Sequence, residues 1–239
     1  LVILLAFCSG IPWVEARPAV VNLAIGEAYT YTTQQQVEKK ITLLALRETR
    51  DRFRDAVRWA EVDLDVNGQP VTVPVALYTL PVVVQDIKVD VPVSKGYIGK
   101  SSHGNVWGFP ADKDIRLRVW DADQPLLEPG TFCYPVQQRW FASDTQMANE
   151  PCYVDAAEDP TSKTVYYHYG LDFGGYDRMI PVVAATDGQV ISVAGETLPG
   201  MKEKCPNLSP RYDVVYIMDK RGWYYRYSHM DKVLPHVQL

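Results

Sequence analysis

Between residues 57 and 75 the chain reads as a β-hairpin more clearly than as anything else. Val57 to Val66 and Val71-Thr-Val-Pro-Val75 both carry a strand pattern, and Asn67-Gly68 stands between them. Asn-Gly tolerates positive φ at both central turn positions, as a two-residue hairpin loop requires. The period-two pattern extends to both sides, from about residue 20 to 95, with Ile41 to Leu46, Val82-Val-Val and Ile87 to Val93 as further strands. Glu38 to Arg54 is ambiguous, because its charges also fit a helix surface. Residues 17–95 are read as an antiparallel β module of about five or six strands. Nothing in it points to chemistry, and a scaffold or binding role is the default.

Residues 96–164 have another character. Gly, Ser, Pro, Asp and Asn are frequent, and Lys100-Ser-Ser-His103-Gly-Asn is loop-like. This stretch is read as an irregular connector, with one strand over Ile115 to Trp120. Short strands return in residues 165–239. Gly188 to Ala194 follows an Asp187-Gly188 turn, and Tyr212 to Asp219 and Trp223 to His229 flank the turn Lys220-Arg221-Gly222. The expected fold class is therefore all-β throughout.

The 239 residues, 47% of them hydrophobic, suffice for one large or two small cored domains. A net charge of -5 argues against a nucleic-acid partner, which calls for a basic surface. The apolar opening Leu1 to Trp13, followed by Val14-Glu15-Ala16, reads as the remnant of a secretory signal over 1–16, cleaved after Ala16, without its basic n-region. It is too short for a transmembrane helix, which needs about 20 apolar residues. The expectation is an exported protein (periplasm, cell envelope or secreted) that meets a membrane only through this signal. Export permits disulfides. Of Cys8, Cys133, Cys152 and Cys205, the expected pair is Cys133 with Cys152.

Four histidines occur, His103, His168, His229 and His236, and two have suggestive neighbours. His168 opens His168-Tyr-Gly170-Leu-Asp172. In a straight strand His168 and Asp172 would lie about 13 Å apart, at about 3.3 Å per residue. Two donors on one tetrahedral zinc lie only about 3.3 Å apart, given bonds near 2.0 Å. Gly170, Gly174 and Gly175 argue against a helix, so the segment has to bend, and Gly170 is the place. His229 closes the strand Trp223-Tyr-Tyr-Arg-Tyr-Ser-His229 and by alternation would share a face with Tyr225 and Tyr227. Taken singly, each motif is most often structural.

Taken together, Tyr-His168-Tyr-Gly-Leu-Asp172-Phe-Gly-Gly, Pro181-Val-Val-Ala-Ala-Thr-Asp187-Gly188-Gln-Val190 and Tyr227-Ser-His229-Met230 resemble the lysostaphin-like (LytM-type) zinc metalloendopeptidases in order and spacing. The resemblance covers residues 165 to 235. It implies that His168 and Asp172 are zinc ligands and that His229 is a catalytic histidine. It also implies amide hydrolysis on the peptides of bacterial peptidoglycan. Zinc would polarise the scissile carbonyl and acidify its water, while His229 would stabilise the oxyanion or manage a proton.

The chain departs from the family in one respect. The family's third ligand is the second histidine of a late His-x-His, and no His-x-His occurs here. Pro235-His236-Val-Gln238 imitates it, with Gln238 in the ligand's place and the spacing too short, so His236 is read as a turn or strand residue. The expectation is a peptidase domain incomplete at its C-terminus, inactive by itself, whose third ligand lies past residue 239. One rival is a catalytically degenerate LytM-type module that binds cell wall or activates other cell-wall hydrolases. Another is an exported β-protein whose tyrosines form a stacking surface. Asn149 is a weaker candidate, as a latency ligand offered by the connector, and His103 is read as loop surface.

Overall fold

In the computed structural model, residues 18–77, 79–98, 105, 107–137, 150–153, 165–173 and 178–239 are described. The signal remnant with Cys8, His103, Asn149, Gly174 and Gly175 lie outside the described residues. Fourteen strands run β1 Ala19–Leu23, β2 Ala28–Thr32, β3 Glu38–Arg50, β4 Val57–Val66, β5 Gln69–Pro74, β6 Val82–Val84, β7 Ile87–Ser94, β8 Ile115–Asp121, β9 Pro151–Tyr153, β10 Val165–Tyr167, β11 Gln189–Val193, β12 Glu196–Thr197, β13 Val215–Met218 and β14 Tyr224–Tyr227. The protein is all-β, and its only α-helix among the described residues is the single turn α1, Met201–Lys204. No helix among the described residues is long and apolar enough to cross a membrane.

The hairpin read from Asn67-Gly68 is present. The two residues have φ of 48° and 82°, and Val66 pairs with Gln69 directly across the loop. Asn67 also ties the turn to β3: its backbone N–H donates to the Lys40 carbonyl, and its Oδ1 accepts the Lys40 N–H at 2.9 Å. The ambiguous segment from Glu38 is a strand as far as Arg50. Its charges are met across the strand pair, where Arg47 bonds both Glu61 and Asp63 of β4. A bulge between Leu43 and Ala45 shifts the register and leaves Leu44 facing water.

Strands β2-β3-β4-β5 form one antiparallel sheet and β1-β8-β7-β6 a second. Their inner faces interdigitate, with Ile41, Leu43, Val62, Leu64, Ile87, Val89, Ile115 and Leu117 fully buried in one cluster. This is a sandwich of two packed sheets. The strand expected inside the connector, β8, lies between β1 and β7 and so forms the middle of the second sheet.

Strands β9 and β10 pair with each other, and β12-β11-β13-β14 make a four-stranded sheet covered on both faces. Ile191, Val214, Tyr216 and Met201 pack on one side, and Val193, Val215 and Ile217 on the other. Gly188, in the expected turn, allows β11 to approach β13: a Cβ there would meet the Met218 carbonyl oxygen at 2.5 Å. Contacts from before, within and after β8 tie the sandwich to this sheet. Arg221 donates to the Leu126 carbonyl at 2.7 Å, Asn207 donates to the Trp107 carbonyl at 2.7 Å, and the Arg118 guanidinium lies 5.7 Å from the Trp223 ring centre.

Candidate functional site

The segment that carries His168 grows out of the sandwich. Strand β10 pairs with β9, Val165 to Tyr153 and Tyr167 to Pro151. Alternation turns Val165 and Tyr167 into the sandwich core, where the Tyr167 hydroxyl accepts the Val57 N–H at 2.6 Å and its ring meets Tyr97 edge-on. His168 continues the ladder by one residue, donating its N–H to the Glu150 carbonyl at 3.0 Å. Beyond it the chain bends at Gly170, as expected. The φ of Gly170 is not positive and a Cβ there would meet open space, so the bend does not itself demand glycine.

The bend closes the ring the sequence required. His168 Nε2 and Asp172 Oδ1 stand 3.2 Å apart, with side-chain exposures of 17% and 43%. That separation is also the edge of a tetrahedral zinc site whose bonds are near 2.0 Å, about 3.3 Å. One nitrogen and one carboxylate oxygen suit zinc as a borderline-soft ion. Among the described residues, no three His, Cys, Asp or Glu side chains gather around one point.

The neighbours of the pair are aromatic. Tyr166, opposite Cys152 in the ladder, has its hydroxyl pushed above the ordinary range by its hydrogen bond to that thiol, then by burial, with the Asp172 carboxylate adding to the effect. Phe173 stacks edge-on against Tyr134 at 5.1 Å, which fixes the far end of the bent segment. Tyr134 belongs to a short antiparallel ladder formed by Cys133 and Gln137 with Ala185 and Pro181. Cys133 and Cys152 are not bonded to each other, contrary to the pairing expected from sequence. Cys133 instead donates to the Ala184 carbonyl, and Cys152 to that of Glu150.

His229 is placed differently from its expectation. Strand β14 stops at Tyr227, and His229 lies beyond it with φ of 63°, so strand alternation does not set its direction. Its N–H donates to Asp213 Oδ2 at 3.3 Å, and the next N–H, of Met230, donates to the Asp213 carbonyl at 3.4 Å. Arg211 forks the same carboxylate at 2.9 and 2.7 Å, which holds the Asp213 carboxyl below its ordinary range. His236 is exposed on a turn, and the Gln238 side chain donates to the Pro235 carbonyl within it.

Sequence reasoning missed Tyr169, Arg226 and Asp213. Arg226 donates to the Tyr169 hydroxyl at 2.6 Å across the interval between β10 and β14. A pairing of that kind leaves no periodic trace in a single sequence. Asp213 carries the weak mark of Arg211-x-Asp213, which is indistinguishable from any exposed ion pair until the fold brings His229 to it.

No family profile, curated protein or solved structure matches the chain.

Proposed function

We propose that this chain belongs to a zinc metalloendopeptidase that hydrolyses peptide bonds in bacterial peptidoglycan. His168 and Asp172 are the ligands contributed here, and His229 is the catalytic histidine. The single observation that supports this most is the 3.2 Å separation of His168 Nε2 and Asp172 Oδ1 across a bend, where four residues of extended chain would keep them far apart. The order of the three motifs supports the same reading.

Zinc bound there supplies Lewis acidity, polarising the scissile carbonyl and lowering the pKa of water. The chain's own residues do the rest. The Glu150 carbonyl and the Tyr167 anchor fix the His168 backbone, so its ring starts from a rigid strand. Asp172, the more exposed of the two, leaves the pair open toward solvent and hence toward a peptide. His229, held by backbone bonds to Asp213, would manage a proton or an oxyanion with its imidazole. An exported protein would meet peptidoglycan directly.

The test uses the full-length gene product. Metal analysis is expected to find one zinc, lost in His168→Ala and in Asp172→Ala but kept in His229→Ala. Hydrolysis of purified peptidoglycan is expected to fall by about 10²- to 10⁴-fold in His229→Ala. Zinc-free protein that still binds peptidoglycan without cleaving it would make the chain a degenerate wall-binding module instead.

A further inference from the structure

A histidine beyond the end of a strand and a ligand pair on a bent segment need something to hold them in register. Four polar side chains lie between them. The Tyr169 hydroxyl accepts from Arg226 Nη1 at 2.6 Å, and the guanidinium also lies 5.3 Å from the Tyr169 ring centre. Both contacts of this arginine go to one tyrosine, the residue directly after His168. Its Nε is shielded from water with no hydrogen-bond partner among the described residues. An arginine used only for a surface charge would have no reason to accept that position.

The other half of the arrangement reaches His229. Arg211 and Asp213 are joined by two hydrogen bonds, and Asp213 takes the backbone N–H groups of His229 and Met230 on its carboxylate and carbonyl. The hydrogen bonds to Asp213 are the main influence that raises the Arg211 pKa, with Tyr169 a lesser one. Arg226 itself lies on β14, in the strand that runs into His229. The path from His168 to His229 therefore runs through Tyr169 to Arg226 and along β14, and Arg211 with Asp213 holds the bend at its end.

We propose that Tyr169, Arg226, Arg211 and Asp213 form a positioning frame that sets His229 in register with the His168–Asp172 pair. None of the four is a catalytic residue, since none is placed to touch reacting atoms. The frame rests on the reading of this site as hydrolytic, and it makes a separate claim: the positive-φ bend at His229 and the bent segment at Gly170 are mechanically coupled.

The experiment compares the full-length gene product with Tyr169→Phe, Arg226→Met, Arg226→Lys and Asp213→Asn. A fluorogenic cross-linked peptidoglycan stem peptide reports activity. The frame predicts a fall in kcat of about 10- to 100-fold in Tyr169→Phe, with KM and zinc content unchanged, the size expected for an ångström of misplacement. Arg226→Lys, which keeps the charge but not the planar stack, is expected to rescue little of the Arg226→Met loss. Unchanged kcat in Tyr169→Phe, or parallel loss of kcat, KM and melting temperature in every variant, would overturn the frame. Amide NMR tests the coupling without activity. Tyr169→Phe is expected to shift the His229 and Met230 amide resonances, and Asp213→Asn that of Tyr169. Absent hydrolysis by the wild type with these shifts present, the catalytic reading fails and the frame stands; absent shifts, the frame fails whatever the activity.

Discussion

The sandwich and the C-terminal sheet are both antiparallel, yet they use unusual backbone differently. In the sandwich, the non-glycine residues of positive φ are Gln36, Asp55, Asn67 and Gln85, and each closes a turn between consecutive strands, β2-β3, β3-β4, β4-β5 and β6-β7. They serve the topology. In the C-terminal sheet Ala194 does the same between β11 and β12, but His229 follows the last strand and closes no hairpin. A positive φ that closes no hairpin is what marks His229 as a candidate. The cores differ too. The sandwich has one continuous apolar interior, whereas the sheet is covered on each face by its own small cluster. Stability is concentrated in the first region and polar positioning in the second.

Removing core volume is the largest way to test that division. Leu64 is fully buried between the sheets, so Leu64→Ala is expected to cost about 2–5 kcal/mol in denaturant unfolding. If the His229 amide resonance is unchanged in the folded fraction, the regions are separable. A shift there would join them.

Tyr167, which anchors β10 in the sandwich, gives the next largest effect. Tyr167→Phe keeps the ring against Tyr97 but leaves the buried Val57 N–H without its acceptor, at a cost of about 1–3 kcal/mol. Hydrogen exchange should show faster opening of Val57 together with β10. Slower loss at β10 than at Val57 would mean that the segment is held by β9 alone.

The third comparison is between two replacements of one residue. Glycine occupies positive φ without a Cβ penalty, so His229→Gly is expected to be more stable than His229→Ala by about 1 kcal/mol. Equal stability would remove the argument from strain. The smallest effect separates the charges. Arg47 holds the Asp63 carboxyl down to about 2 from an ordinary 3.8, and its stabilisation is therefore present above pH 3.8 and lost as pH falls toward about 2. Asp213 is lowered in the same direction by Arg211. Side-chain NMR titration should find Asp63 near 2, with little change in unfolding free energy because the pair is exposed. Protonating Asp213, in contrast, should move the His229 amide.

Legibility followed the same boundary. The Asn67-Gly68 hairpin, the alternating strands around it and the need for a bend at Gly170 were all local properties, and each is present. Glu38 to Arg50 resisted because a bulge at Leu43 breaks its alternation, and because its charges find partners on β4 that periodicity cannot show. The placement of β8 between β1 and β7 is a matter of topology and leaves no local sign. At the site, the His168–Asp172 contact was expected only on the premise that the two share a metal, while Tyr169, Arg226 and Asp213 were invisible. Their contacts depend on which surfaces the fold brings together. The strand expected to reach His229 ends at Tyr227, and beyond it the N–H groups of His229 and Met230 go to the Asp213 carboxylate and carbonyl.

The short ladder beside Tyr134 has a consequence for how such a chain can vary. Gln137 donates its N–H to the Pro181 carbonyl at 2.9 Å, so the chain leaves and returns at one point, and everything between, His168 and Asp172 included, is an excursion from a closed base. Lengthening such an excursion is inexpensive, since doubling a loop adds only about 0.6 kcal/mol of closure entropy. Among its described residues, Val165 and Tyr167 are plugged into the sandwich. Insertions and deletions on either side of that plug could reshape what surrounds the histidine while the two β regions stay as they are.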